Sequence, residues 1–207
     1  IEAALREAGY ETLNWDYPSR SHDMAGLAAR FAALLAGLAG RPGRVHFVGH
    51  SLGAILIRFG LQGRVGFKLG RVVMLAPPNR GATVVSRLRL VPFLPRIFGR
   101  PTLELARDAT WLLRGAAPVT DVGVIAGTRT WHPLSPGSWF NRLLALPRPH
   151  DGTVEMDSTA LPGMRDFISV HAIHGRIANH PEVIRQTLHF LAHGVFERGT
   201  AAAHHQT

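Results

Sequence analysis

Apolar positions along the chain switch repeatedly between helical and strand-like spacing. Ile1, Leu5 and Ala8 share one helical face, and Gly9 stands where such a helix would stop. Residues 11–15 read as a short strand closed by Tyr17-Pro18-Ser19. Met24, Leu27, Phe31, Leu34 and Leu38 recur every three or four residues, predicting an amphipathic helix that ends at Gly40-Arg41-Pro42-Gly43. Val45-His46-Phe47-Val48 reads as a buried strand, followed by a helical pattern over 52–61. Further strands are expected at 72–76, 122–126 and 167–170. The last helix is expected over 181–193, with Pro181 in its first turn and Gly194 just past its end.

Strands that alternate with helices argue for a mainly parallel sheet covered on both faces. No internal repeat interrupts this order. Two stretches break the pattern. Residues 82–118 turn helical and irregular and read as a small helical cap, and residues 129–150 are rich in proline and loop. With 207 residues the whole chain is read as a single domain able to bury a real core.

Composition narrows the class. Apolar residues make up 46% and charged residues 18%, a globular balance. Apolar runs are broken well before the ~18–20 residues needed to cross a bilayer, so the domain is read as soluble. The formal net charge is +9. Its arginines (Arg20, Arg30, Arg41, Arg58, Arg71) are scattered, without a dense block or interleaved aromatics. That argues against nucleic acid and for a solvated surface, one suited to an anionic membrane surface or acidic partners. With no cysteine, disulfides and thiolate metal sites are excluded. Compartment and oligomeric state leave no mark in these residues.

The chemistry starts at Gly49-His50-Ser51-Leu52-Gly53, a G-x-S-x-G motif between an apolar strand and a helix. That context lifts a serine Oγ above the sheet on a sharp turn. It also sets the Leu52 amide at a helix N-terminus, facing a developing oxyanion. A nucleotide-binding turn would want G-x-G-x-x-G, and Gly53 is followed by Ala54-Ile55-Leu56 instead. Ser51 is therefore the candidate nucleophile and Leu52 the candidate oxyanion donor, with His50 beside them as a substrate-binding candidate.

A serine hydroxyl needs an imidazole to take its proton, and a carboxylate to hold that imidazole. Among the later acids, Asp151 stands out, because Asp151-Gly152 forms a turn that aims the carboxylate. Asp121 precedes its strand, at the wrong end of a parallel sheet, while Asp157 and Asp166 lack a turn. His171 and His174 both follow the strand at 167–170, and position alone leaves both open as the base. His46, inside a strand, reads as a hydrogen-bonded core histidine. His171, His174 and Asp151 would make a poor metal site, because three-residue spacing outside a helix misaligns the rings. No metal and no cofactor is expected.

These residues resemble the bacterial lipase/esterase branch of the α/β-hydrolase family. Besides the elbow, the resemblance is carried by Asn14-Trp15-Asp16-Tyr17-Pro18-Ser19-Arg20, Pro77-Pro78-Asn79-Arg80-Gly81, Asp151-Gly152-Thr153-Val154 and Phe190-Leu191-Ala192-His193-Gly194. It implies the α/β-hydrolase fold, with Ser51 as nucleophile, Asp151 as acid and His174 as base. His174 is favoured over His171 because the family places its histidine about ten residues past a Leu-Pro-Gly-Met pattern, here at 161–164. The family's first strands and its His-Gly turn, which supplies a second oxyanion amide, do not appear, so the natural protein is expected to extend upstream of Ile1. The implied reaction is carboxylic-ester hydrolysis through an acyl-enzyme. Leu90, Phe93 and Leu94 in the apolar cap are candidates to hold an ester or lipid substrate; a lipid acyl chain and a small ester both fit. A thioesterase or acyltransferase would use the same triad, and a hydrolase fold kept only for binding is the alternative of a different class.

Overall fold

A computed structural model of the chain describes residues 1–18, 22–81, 117–130 and 149–198. In chain order the elements are α1 (Glu2–Glu7), α2 (Met24–Gly37), β1 (Arg44–His50), α3 (Leu52–Gly60), β2 (Lys68–Leu75), β3 (Val122–Gly127), α4 (Met156–Thr159), β4 (Asp166–Val170), a 3-10 helix (His174–Asn179) and α5 (Pro181–His193). The four strands are all parallel and lie side by side in the order β1-β2-β3-β4. The predicted cap and its Leu90, Phe93 and Leu94 lie outside the described residues, apart from Ala117 and Pro118.

Alternation along each strand divides the core into two layers, as the period-two geometry of strands requires. Phe47, Val72, Met74, Val122 and Val124 face α2 and α3, where they meet Leu27, Phe31, Ile55 and Leu61. Val73, Leu75, Ile125 and Val170 face the other way, onto Val183, Phe190 and Leu191 of α5 and partly onto Ile1 and Leu5 of α1. Every residue of β3 is buried. That explains why β2 and β3 read as continuous apolar runs rather than alternating ones.

Helix ends follow the sequence closely. Asp23 caps α2, its carboxylate accepting from the Gly26 amide at 2.8 Å. The last helix spans Pro181–His193 as expected and closes on Gly194 in the left-handed region (φ 80°).

One expected element is absent. Residues 11–15 form no strand. Thr12 and Asn14 turn their side chains back to α1: Arg6 Nε donates to Thr12 Oγ1 (2.7 Å) and Asn14 Nδ2 to Glu2 Oε2 (3.0 Å). Leu13 is exposed, so the segment does not bury an apolar face as a core strand would. The segment instead runs as irregular chain toward the start of α3. The β2 strand begins four residues earlier than expected, at Lys68, because Arg44 and Val45 pair with Lys68 and Leu69.

Candidate active site

The turn between β1 and α3 is strained in the way a serine elbow requires. Ser51 has φ 52° and ψ −120°, a conformation that a residue with a Cβ adopts rarely. The strain is held by its neighbours. The Ser51 amide donates to the Leu75 carbonyl (2.9 Å), which carries the β1–β2 ladder through the turn, and Ala54 N–H donates to the Ser51 carbonyl (3.1 Å). Gly49 is needed for closeness: a Cβ there would lie 2.6 Å from Ile57 Cδ1 and 2.8 Å from the Ala54 backbone. Strand and helix thus pack against each other immediately below the serine.

Two loops from neighbouring strands reach the same point. After β4, the chain turns into the 3-10 helix that begins at His174, and the loop before α4 carries Asp151. The two loops are joined by the His174 amide, which donates to the Asp151 carbonyl (2.9 Å). The His174 ring bridges Asp151 and Ser51, with Nδ1 2.7 Å from Asp151 Oδ2 and Nε2 3.0 Å from Ser51 Oγ. Asp151 is 1% exposed. Its second oxygen, Oδ1, accepts from the amides of Thr153 (2.9 Å) and Val154 (2.8 Å). This closes an Asx-type turn whose next residue, Gly152, has φ 98°. Backbone amides and an imidazole, with no cation among the described residues, therefore satisfy a buried carboxylate.

Gly127, the last residue of β3, makes this approach possible. A Cβ there would collide with Asp151 Cβ (2.6 Å) and the Ala172 carbonyl (2.7 Å). Sequence reasoning passed over this glycine, although its place at a strand end beside both loops was the available signal.

The remaining candidates are placed as follows. The His50 ring lies against that of His174, centroids 4.7 Å apart. Its Nε2 is buried with no hydrogen-bond partner among the described residues. Burial, and after it the proximity of His174, lower its pKa to about 4 despite the opposing pull of Asp151, so His50 is neutral near pH 7. Leu52 opens α3, where first-turn amides have no intrahelical acceptor. His171 is exposed at the end of β4, and Asp157 is exposed on α4. Asp121 sits at the opposite strand end between Arg71 (3.4 Å) and Arg165 (3.4 Å). Asp166 is bound by Arg198 and the Phe196 amide (2.7 Å). His46 accepts from the Arg71 amide at Nδ1 (3.0 Å). The Pro77–Gly81 loop is pinned by buried Arg58, whose Nη1 donates to the Asn79 carbonyl (3.0 Å), while Asn79 Nδ2 donates to the Thr159 carbonyl (2.8 Å). Among the described residues no three histidine, aspartate or glutamate side chains gather as metal ligands, and no helix is long and apolar enough to cross a membrane.

A parallel sheet with a strained serine between strand and helix, and acid and histidine loops at the same strand ends, is the architecture of an α/β hydrolase. Residues 3–205 match the alpha/beta hydrolase family, and the chain belongs to it. No curated protein matches. Solved structures of similar fold include the mature lipase BlEst2 of Bacillus licheniformis (19% identity, TM-score 0.57, covering 76% of this chain and 69% of that one). Phospholipase PlaB of Legionella pneumophila is similar over 92% of this chain and 54% of its own (15% identity, TM-score 0.60). The metagenomic carboxyl esterase MGS0156 is similar over 72% and 52% (20% identity, TM-score 0.53). The chain thus spans about half the length of the latter two.

Proposed function

We propose that the protein is a serine hydrolase that cleaves carboxylic esters through an acyl-enzyme. The observation that carries this reading is the continuous chain Asp151–His174–Ser51, with contacts of 2.7 and 3.0 Å at the ends of the strands. In the first step Ser51 Oγ attacks the ester carbonyl carbon and its proton passes to His174 Nε2. The carbonyl π pair moves onto oxygen, which accepts a hydrogen bond from the Leu52 amide. Collapse expels the alcohol with the proton from His174, and water then repeats the sequence on the acyl-enzyme. Asp151 fixes the His174 ring with Nδ1 protonated and Nε2 facing the serine, and faces the imidazolium as it forms.

Support for an ester, as opposed to another acyl substrate, comes from the lipase, phospholipase and carboxyl esterase names of the similar structures. An acyl chain held by Leu90, Phe93 and Leu94, and contact of the basic surface with an anionic membrane, extend the same reading. The test is hydrolysis of p-nitrophenyl esters from acetate to palmitate by the protein and by Ser51→Ala. Turnover that disappears in the variant while its melting temperature is kept supports the reading. Turnover retained in Ser51→Ala rules it out.

A further inference from the structure

Asp151 sits at the tip of a tight hairpin. Met156 N–H donates to the Pro149 carbonyl (3.0 Å), His150 faces Glu155 across an antiparallel bridge, and Asp151 N–H donates to the Val154 carbonyl (3.2 Å). The amides of Thr153 and Val154 go to the Asp151 carboxylate itself. The remaining amide of the tip, that of Gly152, donates instead to Nδ1 of the buried His150 ring (3.0 Å). A backbone amide can only donate, so this Nδ1 carries a lone pair and the neutral ring has its proton on Nε2. The Asp151–Gly152 peptide is a rigid plane whose N–H and C=O point opposite ways. His150 holds its N–H end, and its C=O end accepts the His174 amide (2.9 Å). One peptide group is thus gripped from both sides, by the ring preceding the acid and by the backbone of the base. Its position matters twice, because Asp151 also carries the carboxylate that meets His174 Nδ1 at 2.7 Å. Gly152 follows with φ 98°. A peptide ahead of glycine turns over at little steric cost, since glycine populates both signs of φ. With the Gly152 N–H unbound, the plane is free to rotate toward another acceptor, and the Asp151 carbonyl then leaves the His174 amide.

We infer that His150 is a positioning residue for the acid–base pair: its Nδ1 fixes the Asp151–Gly152 peptide and, through that peptide, the approach of Asp151 to His174. Its effect on rate rests on the ester-hydrolase reading above, whereas its effect on the Asp151–His174 contact is separable from that reading. The ring acts only as an acceptor for a backbone amide and exchanges no proton during the reaction.

The experiment compares wild type with His150→Asn, His150→Gln and His150→Leu. Asparagine places Oδ1 where the imidazole has Nδ1 and so keeps the acceptor. Glutamine carries its polar atoms one bond further out, and leucine has none. Two quantities are read: kcat and KM on p-nitrophenyl butyrate, and the low-field proton resonance of the His174 Nδ1–H bonded to Asp151. His150→Leu and His150→Gln should lose about 10²-fold in kcat with KM little changed, the cost of a ~1 Å displacement in an acid–base pair. The low-field resonance should broaden or vanish in both. His150→Asn should stay within about fivefold of wild type and keep the resonance. Should His150→Leu fail to fold, His150→Gln carries the comparison. A folded His150→Leu or His150→Gln within about threefold of wild type overturns the inference. So does either variant if it keeps the resonance, whatever its rate, because a merely structural role leaves the pair intact in the folded protein. A His150→Asn as slow as the leucine variant overturns it too, since the acceptor would then not be what counts. If wild type hydrolyses no ester, the ester reading fails, and the resonance of wild type against His150→Leu and His150→Gln still decides this inference.

Discussion

The two ends of the sheet carry the same kinds of side chain arranged to opposite ends. At the N-terminal ends of the strands, Asp121 lies between Arg71 and Arg165, and Asp166 is held by Arg198 with the amides of Phe196 and Phe167. Arg71 also donates to the carbonyls of Leu191 (2.7 Å) and Ala192 (3.0 Å), closing the end of α5. His46 there accepts a backbone proton. Each polar group is matched by a partner of opposite character, and the cluster ties β2, β3, β4 and the last helix together. At the C-terminal ends, Asp151 is buried without a cation among the described residues, and its partner His174 passes the contact on to a serine in a strained conformation. An arginine neutralises an acid; a histidine ring held by an acid keeps its second nitrogen free for another partner. The first arrangement ties elements together; the second ends on a serine hydroxyl, the group proposed above as the nucleophile.

The largest effect is expected at His174. His174→Ala should lower kcat by a factor on the order of 10⁴–10⁶, while exposed His171→Ala should leave it nearly intact. Steady-state rates on one p-nitrophenyl ester decide the ranking, and the reverse order would move the base to His171. Gly127→Ala should come next. Its methyl group would wedge between Asp151 and Ala172, and a displacement of ~1 Å in the acid–base pair costs about 10²-fold in rate. A Gly127→Ala enzyme of normal rate would show that the two loops do not depend on that close approach.

At the other end of the sheet, the expected losses are in stability. Burial alone would raise the Asp166 pKa, but the bond to Arg198 and the amides of Phe196 and Phe167 outweigh it and hold the carboxyl below its usual range. A depressed carboxylate contributes stability above its unfolded pKa of about 3.9, and the contribution is lost as pH falls through the folded value. Asp166→Asn should therefore destabilise the protein by about 1–3 kcal/mol at pH 7 with kcat unchanged. The difference between the two proteins should shrink in acid. Denaturant unfolding at pH 7 and pH 3 measures both.

The effect at His50 is confined to acid and is the smallest at pH 7. Its folded pKa is about 4, against about 6.5 unfolded. Between those values the unfolded chain binds the extra proton, so this contribution is complete above pH 6.5 and declines as pH falls toward 4. His50→Gln should flatten that part of the stability curve by at most about 3 kcal/mol. Identical curves for the two proteins would mean that His50 is not held neutral by its surroundings.

Much of this arrangement was legible in the residues. The elbow declares itself because strand, glycine, serine and helix must follow in that order, and α5 because proline and glycine mark its two ends. Separating His171 from His174 needed more than spacing, since both follow β4 within four residues; the contact that distinguishes them crosses 23 residues to Asp151. Residues 11–15 read as a strand because five residues of sequence do not reveal which strand, if any, they pair with. Gly127 was hidden for a related reason: it matters through Asp151 and Ala172, which come near it in space, and it has no distinctive neighbour in sequence.

If the Asp151–His174 pair activates the Ser51 hydroxyl, Ser51 should react with an electrophile far faster than an ordinary serine. The most direct test is the rate of labelling by a fluorophosphonate, with the modified peptide located by mass spectrometry, in wild type, Ser51→Ala and His174→Ala. Rapid labelling of wild type at Ser51 is expected, none at that peptide in Ser51→Ala, and strongly slowed labelling in a folded His174→Ala. Labelling at another serine, or an unchanged rate without His174, would contradict it.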